Sequence, residues 1–144
     1  MKLKGEGGTV SISKVLLVDD DNGIRRIAQL VLSKKTDWEL KEAESGYEAL
    51  ECLKTFEPDV IILDMMMPKM DGITTYRNII AMGITNTPVI FMTAKAQTGE
   101  VDSYLNLGAA GVIIKPFAPK ELADQIKAIV SDWMNKGEGM CSQV

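Results

Sequence analysis

The fold of this chain is decided by the stretch Val60-Ile-Ile-Leu-Asp-Met-Met-Met-Pro-Lys-Met-Asp-Gly72. Four consecutive aliphatic residues run directly into Asp64, and Pro68 and Gly72 then interrupt the chain. A short apolar run with this punctuation is typical of a strand buried on both faces of a parallel sheet. We therefore expect Asp64 at the carboxyl end of a strand, where open α/β sheets bind ligands. Taken alone, Asp64 is more simply explained as a residue that caps a turn.

The composition is that of one acidic globular domain. The 144 residues are 46% hydrophobic and 25% charged, with a formal net charge of -4. This length has room for one domain with a proper core. The pI of about 4.9 argues against a dedicated nucleic-acid surface. The aliphatic runs are too short for a membrane helix, and the first residues lack the apolar centre of a signal peptide. We therefore predict a cytoplasmic protein without membrane insertion or direct nucleic-acid contact.

The chain contains no histidine and two cysteines. The absence of histidine excludes a Ser-His-Asp triad, a His-ligated zinc site and histidine acid–base chemistry. Cys52 falls in a helical pattern and Cys141 in a polar C-terminal stretch, without metal-type spacing, so a disulfide framework is not expected. Any chemistry must use carboxylates, lysine, hydroxyls and a bound metal ion.

Five predicted strands alternate with helices along the chain. The strands cover 15–18, 38–43, 60–63, 89–92 and 112–114, and the helices roughly 24–35, 45–53, 72–82, 98–107 and 119–133. This alternation is the signature of an α/β protein with a doubly wound parallel sheet. We divide the chain into a flexible N-terminal segment, 1–12, one domain, 13–135, and a short C-terminal tail, 136–144.

Several other side chains have simple structural interpretations. Apolar residues at helical spacing predict the buried stripe of the first helix: Ile24, Ile27, Ala28, Leu30 and Val31. Arg25 and Arg26 are expected on the solvated face of the same helix. The methionines that follow Asp64 are interpreted as core and loop filling, and Tyr104 as partly buried packing.

Each core strand ends in a chemically useful group. These groups are Asp19 and Asp20 after the first strand, Asp64 after the third, Thr93 after the fourth and Lys115 after the fifth. In a parallel sheet they emerge at the same edge. Clustered carboxylates raise one another's pKa unless a cation binds, and hard oxygen ligands suit Mg²⁺. A lysine and a hydroxyl nearby suit a phosphate, so one carboxylate could act as nucleophile and carry a phosphoryl group.

The chain resembles a response-regulator receiver domain in four motifs. In order and with the family's spacing, these are Val18-Asp-Asp20, Leu63–Gly72, Phe91-Met-Thr-Ala94 and Gly108–Phe117. The resemblance covers about 14–133, nearly the whole chain. It implies a flavodoxin-like, five-stranded parallel sheet of order 2-1-3-4-5 with helices on both faces. The first and third strands would then lie side by side, as joint metal binding requires.

The resemblance also implies a metal-dependent phosphoacceptor site. Asp64 would be the phosphoacceptor. Asp19 and Asp20 would form the acidic pair that binds Mg²⁺ together with Asp64. The backbone carbonyl of Met66 would supply a further ligand.

The remaining strand-end groups would act on the phosphoryl group. The Thr93 hydroxyl would turn toward it and Lys115 would pair with it. The bond between Lys115 and Pro116 is usually cis in the family. Ala94 is small, as access to the acceptor requires.

The chain departs from the family pattern at one position. The family often has an aromatic residue three positions before the lysine, where this chain has Val112. Rotation of an aromatic side chain at that position therefore cannot carry the signal in this protein. Met66 and Lys95 stand where the family adjusts the lifetime of the phosphoryl group.

The resemblance implies a stand-alone receiver domain of two-component signalling. It would not be an enzyme beyond its own Mg²⁺-dependent phosphorylation and dephosphorylation. A sensor histidine kinase or a phosphotransfer protein would supply the phosphoryl group. An unknown downstream protein would read the face around the fourth helix, fifth strand and last helix, with the chain as a monomer or weak dimer.

Two other functions compete with this interpretation. Asp19-Asp-Asp-Asn-Gly23 superficially echoes the opening motif of haloacid-dehalogenase-like phosphatases, but Pro116–Pro119 replaces the acidic pair that should follow the lysine. A receiver fold that binds a partner without being phosphorylated is the second alternative. The complete acidic set argues against it.

Overall fold

The structure is a computed structural model that describes residues 11–94 and 98–143. Five strands alternate with five α-helices. In chain order these are β1 Lys14–Val18, α1 Asn22–Lys35, β2 Glu39–Ala43, α2 Gly46–Cys52, β3 Val60–Asp64, α3 Gly72–Ala81, β4 Val89–Thr93, α4 Thr98–Leu107, β5 Gly111–Ile114 and α5 Leu122–Gln143. A 3-10 turn, Pro119–Glu121, precedes α5, so Pro119 begins this turn rather than the α-helix itself.

The strands form one parallel sheet in the order β2-β1-β3-β4-β5. This confirms the predicted doubly wound α/β fold and its strand order. Val18 pairs with Leu63 across β1 and β3, and Asp64 pairs with Met92 across β3 and β4. Because the register brings the strand ends level, the residues that follow them gather at one edge of the sheet.

Two hydrophobic clusters cover the two faces of the sheet. Successive strand residues point to opposite faces, so each strand contributes to both clusters. The first cluster includes Leu16, Leu63 and Phe91 and packs against α2, α3 and α4. The second includes Leu17 and Ile62, together with residues of α1 and α5. All five residues of β3 are buried, as expected for the central strand of a two-faced sheet.

Helix α1 buries a different stripe from the predicted one. Ala28 is buried as expected, but Ile27 and Leu30 are 44% and 56% exposed. The buried positions are Arg25, Ala28 and Leu32. The prediction that Arg25 lies on the solvated face is therefore wrong, whereas Arg26 is exposed. Arg25 turns inward because the groups that accept its hydrogen bonds lie on the buried side of the helix.

The last helix is longer than the sequence indicates. It continues to Gln143, through most of the stretch 136–144 that the sequence marks as a tail. Gly137 and Gly139 lower helix propensity, but no proline interrupts the stretch. None of the helices within the described residues is both long and apolar enough to cross a membrane. Residues 1–10 of the predicted flexible segment lie outside the described residues.

Candidate functional site

Three carboxylates converge at the carboxyl edge of the sheet. Asp19, Asp20 and Asp64 each offer an oxygen, and these oxygens all lie within 4.8 Å of one another. Asp19 and Asp64 are buried, while Asp20 is exposed at the mouth of the site. The pairing of β1 with β3 produces this convergence. The three acids that the sequence nominates are thus brought together.

The donor set fits a hard cation. Within the described part of the chain, the buried Asp19 Oδ2 meets no donor apart from the ammonium group of Lys115. Its close contact is an ion pair with Lys115 Nζ at 3.0 Å. A buried carboxylate oxygen with free lone pairs costs free energy unless a charge or donor satisfies it. Oxygen donors that lie together in this way are the ligands that Mg²⁺ prefers.

Lys115 extends from the end of β5 to both buried acids. Its Nζ lies 3.0 Å from Asp19 Oδ2 and 3.2 Å from Asp64 Oδ1. Its backbone N–H donates to the carbonyl of Thr93, which fixes the start of the following loop against β4. The Lys115–Pro116 peptide is cis, as the resemblance implies. The lysine therefore links the two acids without leaving the edge of the sheet.

The pKa values of Asp64 and Lys115 are both raised, but for different reasons. Burial, followed by the charge of Asp19, raises the pKa of Asp64 to about 6 against the opposing effects of the Met66 N–H and Lys115. For Lys115, burial lowers the pKa, but its contacts with Asp19 and Asp64 outweigh burial and raise the pKa overall. The lysine is therefore a permanent cation. With its pKa raised to about 6, Asp64 changes its protonation close to neutral pH.

The loop after β3 holds Asp64 in place. The Met66 N–H donates to Asp64 Oδ1 at 3.2 Å. The Gly72 N–H donates to the Met65 carbonyl, which closes the loop. A Cβ at Gly72 would collide with the Asp64 carbonyl and the Met65 backbone, so glycine is required there. The Met66 side chain is 60% exposed, and the role of its carbonyl as a metal ligand stays a prediction.

The fourth strand brings Thr93 and Ala94 to the same edge. Thr93 is buried and pairs in register with Ile114, one residue before Lys115. Ala94 is exposed beside it. Lys95, which stands where the family adjusts the lifetime of the phosphoryl group, lies outside the described residues.

A cluster of aromatic rings surrounds Phe91 of β4. Phe91 makes edge-to-face contacts with Tyr76 and Tyr104, each with a centroid distance of 5.3 Å. Val112 pairs in register with Phe91 and packs, half-buried, against the same cluster. The prediction that Tyr104 packs partly buried is confirmed. Aromatic side chains therefore pack near the end of β4, although position 112 itself is a valine.

The sequence did not identify Arg25 as part of the site. Its Nη1 donates to the Asp19 carbonyl at 2.7 Å, and its Nε to Glu42 Oε1 at 3.1 Å. Its Nη2 donates to the Asn22 side chain. The available signal was helical phase, because Arg25 precedes the buried Ala28 by three residues. Apolar periodicity gives no weight to an arginine and so missed it.

Residues 15–127 match the response regulator receiver domain family. The chain belongs to this family. Receiver domains are signalling domains rather than classical enzymes, which removes the phosphatase alternative. They generally bind Mg²⁺ at an acidic pocket, and they work in two-component systems with kinase partners.

Curated relatives of this receiver domain include transcriptional regulators. The chain is 39% identical over 117 residues to the "Probable transcriptional regulator ycf27" of Guillardia theta, with 81% of this chain and 45% of that protein covered. It is 35% identical to the "Alkaline phosphatase synthesis transcriptional regulatory protein PhoP" of Bacillus subtilis, with 81% and 48% covered. The chain therefore spans about half the length of the curated relatives it matches.

Solved structures of similar receiver domains share the fold over nearly their whole length. The chemotaxis response regulator CheY4 of Vibrio cholerae superposes with a TM-score of 0.76 at 29% identity, covering 83% of this chain and 99% of that chain. The receiver domain of Francisella response regulator 1452 gives 0.70 at 33% identity, covering 82% and 96%.

Proposed function

We propose that this receiver domain accepts a phosphoryl group on Asp64 in a Mg²⁺-dependent reaction and signals through protein–protein contacts. The observation that supports this most is the cluster that the buried Asp19 and Asp64 form with the half-buried Lys115 at the edge of the sheet. A solvated turn does not bury two carboxylates beside one another, because each charge loses hydration. Such a cluster is useful where an anion and a cation must bind together.

The acids and the Met66 carbonyl would hold the metal. Asp19, Asp20 and Asp64 offer the carboxylate oxygens that lie within 4.8 Å of one another. When bound, Mg²⁺ would offset the charge of the acids and of the phosphoryl oxygens. Asp20, the exposed acid, would be the ligand nearest to solvent.

The chemistry at Asp64 is nucleophilic. A carboxylate oxygen attacks the phosphorus of the donor, the bond from phosphorus to the donor's leaving group breaks, and an acyl phosphate forms. Ionised Asp64 is needed for this attack, and Lys115 favours the ionised form through an ion pair at 3.2 Å. Lys115 and the Thr93 hydroxyl would then bind the oxygens of the transferred group.

The phosphoryl donor is proposed to be a sensor histidine kinase or a phosphotransfer protein, because relatives of this domain work in two-component systems. The receiver is expected to shift between pre-existing conformations on phosphorylation. A downstream protein would recognise the face formed by α4, β5 and α5. We propose the cytoplasm as the location and a monomer or weak dimer as the state of the chain.

Intact-mass spectrometry after incubation with MgCl₂ and acetyl phosphate tests this function. Wild type should gain one phosphoryl group, and the gain should disappear in Asp64→Asn or after EDTA. The matched control is Asp71→Asn, which removes an exposed carboxylate from the same loop. Labelling of Asp64→Asn would show that the acceptor is another residue. An unlabelled wild type that still binds a partner would favour the alternative of a binding module without phosphorylation.

A further inference from the structure

Arg25 is a buried arginine that the proposed chemistry does not use. Its side chain is 10% exposed although arginine is rarely buried unless it is paired. Its neighbour on α1, Arg26, is exposed. A guanidinium that gives up its hydration must gain hydrogen bonds in return, so its partners indicate what it holds in place.

The partners of Arg25 come from three different elements. They are the Asp19 carbonyl at the end of β1, the Asn22 side chain at the start of α1 and the Glu42 carboxylate on β2. The planar guanidinium offers donors in fixed directions, so it fixes these groups relative to one another. Lysine, with one ammonium group, cannot reproduce this geometry.

The Asp19 carbonyl belongs to the peptide that joins Asp19 to Asp20. Because a peptide unit is planar, fixing its carbonyl fixes the direction in which the Asp20 Cα leaves. The Asp19 N–H is already held by the Ala43 carbonyl at 3.1 Å, and Asp19 Oδ1 accepts from the Asp21 N–H at 2.9 Å. Arg25 therefore completes the set of hydrogen bonds that orients both acids.

The geometry points to Arg25 as a positioning residue of the metal site, one that sets Mg²⁺ affinity by orienting the Asp19–Asp20 peptide. This inference rests on the proposed function, since it concerns the same metal site. It assigns Arg25 no contact with metal or phosphoryl group. Its charge is paired with Glu42 at 3.1 Å, so its effect operates through geometry more than through electrostatic repulsion of the cation.

Isothermal titration with MgCl₂ of the full chain tests the inference. Arg25→Lys keeps the positive charge but loses the planar guanidinium, and Arg25→Met keeps only the aliphatic part of the side chain. Partners that orient metal ligands typically contribute about 10- to 100-fold in affinity. We expect a loss of about tenfold or more in Arg25→Met and a smaller loss in Arg25→Lys. Arg26→Met, the same change one residue further along the helix, should bind as wild type.

The readouts separate positioning from simple stabilisation. Circular dichroism melting without metal is recorded for each variant, and the titrations are done well below the lowest melting temperature. A lower melting temperature with Mg²⁺ affinity within about twofold of wild type in both Arg25 variants would overturn the inference, because orienting partners contribute more than that. If Arg25→Met does not fold, Arg25→Lys decides by itself. A wild type that binds no Mg²⁺ would instead contradict the proposed function.

Discussion

At the scale of single residues, Asp64 combines burial with two opposing charges. It is 2% exposed, it lies near Asp19, and Lys115 contacts it at 3.2 Å. The desolvation outweighs the ion pair, so the pKa of Asp64 rises from 3.8 to about 6. The folded metal-free protein therefore binds this proton more tightly than the unfolded chain. Ionisation of Asp64 consequently destabilises the fold as pH rises from about 4 to about 6.

We predict that Asp64→Asn stabilises the metal-free protein at about pH 7.5, because asparagine has no charge to desolvate. A pKa raised from 3.8 to about 6 corresponds to at most about 3 kcal/mol. The gain should shrink toward about pH 4, where Asp64 in the wild type is protonated as well. Urea denaturation in EDTA at several pH values measures it. An equal gain at every pH would contradict desolvation of the carboxylate as the cause.

Lys115 is predicted to keep the pKa of Asp64 from rising further. Its charge and hydrogen bond both lower the pKa of Asp64. In Lys115→Met the pKa of Asp64 should therefore lie above the wild-type value of about 6 in the absence of metal. Carbonyl-carbon NMR titration of the Asp64 side chain checks this, with Lys120→Met as the control because Lys120 is exposed. A midpoint equal to that of the wild type would show that the ion pair does not persist in solution.

At the scale of elements, the connection from β3 to α3 holds Asp64 in place. Asp71 caps α3, because its side chain accepts from the Thr74 N–H at 2.9 Å. This hydrogen bond lowers the pKa of Asp71, in contrast to Asp64 at the start of the same connection. Gly72 then approaches the backbone of Asp64 and Met65 too closely for any side chain. The loop is therefore built to hold one end of β3 against one end of α3.

Removal of the cap should loosen this connection. We predict that Asp71→Ala destabilises the protein by about 1 kcal/mol, the usual effect of losing an N-cap acceptor. Asp71→Asn keeps an acceptor at the same place and should lose much less. Urea denaturation of the three proteins at about pH 7.5 compares them. Equal losses in both variants would mean that the charge of Asp71, and not its hydrogen bond, stabilises α3.

The sequence predicts elements well where one physical signal dominates. Strands such as β3 are buried on both faces, so an unbroken apolar run predicts them. Because the strands are parallel, the acids that follow them lie at the same edge of the sheet. The buried face of α1 is harder to predict, since Ile27 and Leu30 satisfy the same helical spacing as the residues that are buried. Arg25 turns inward for partners on β1 and β2, which local periodicity cannot reveal. The end of α5 is likewise hard to locate from a sequence, because two glycines weaken a helix without forbidding it.

At the scale of the whole molecule, the site and the proposed output face are joined through β4 and β5. Thr93 ends β4, and the ring of Phe91 two residues earlier contacts Tyr104 on α4. Val112 packs against the same cluster from β5. Phe91 and Tyr104 therefore form a packed connection from β4 to α4 that does not require an aromatic residue at position 112.

We predict that phosphorylation changes hydrogen exchange in α4 and β5 more than in α1 and α2. Hydrogen–deuterium exchange with mass spectrometry would be recorded with MgCl₂, with and without acetyl phosphate. Asp64→Asn is the control, and its exchange should not respond to the donor. A response confined to the loop after β3 would show that the signal does not reach the proposed face.

The ion pair between Asp19 and Lys115 bears on when the proposed site can form during synthesis of the chain. The two residues follow β1 and β5, the first and the last strand along the chain, and yet their side chains lie 3.0 Å apart. Contacts between distant parts of a chain form late, because long loops must close before they gain anything from pairing. A chain still emerging from the ribosome would have its acids long before their lysine. The proposed phosphoryl-accepting site can therefore form only in the finished molecule, and phosphoryl labelling would measure the fraction of chains that have folded completely.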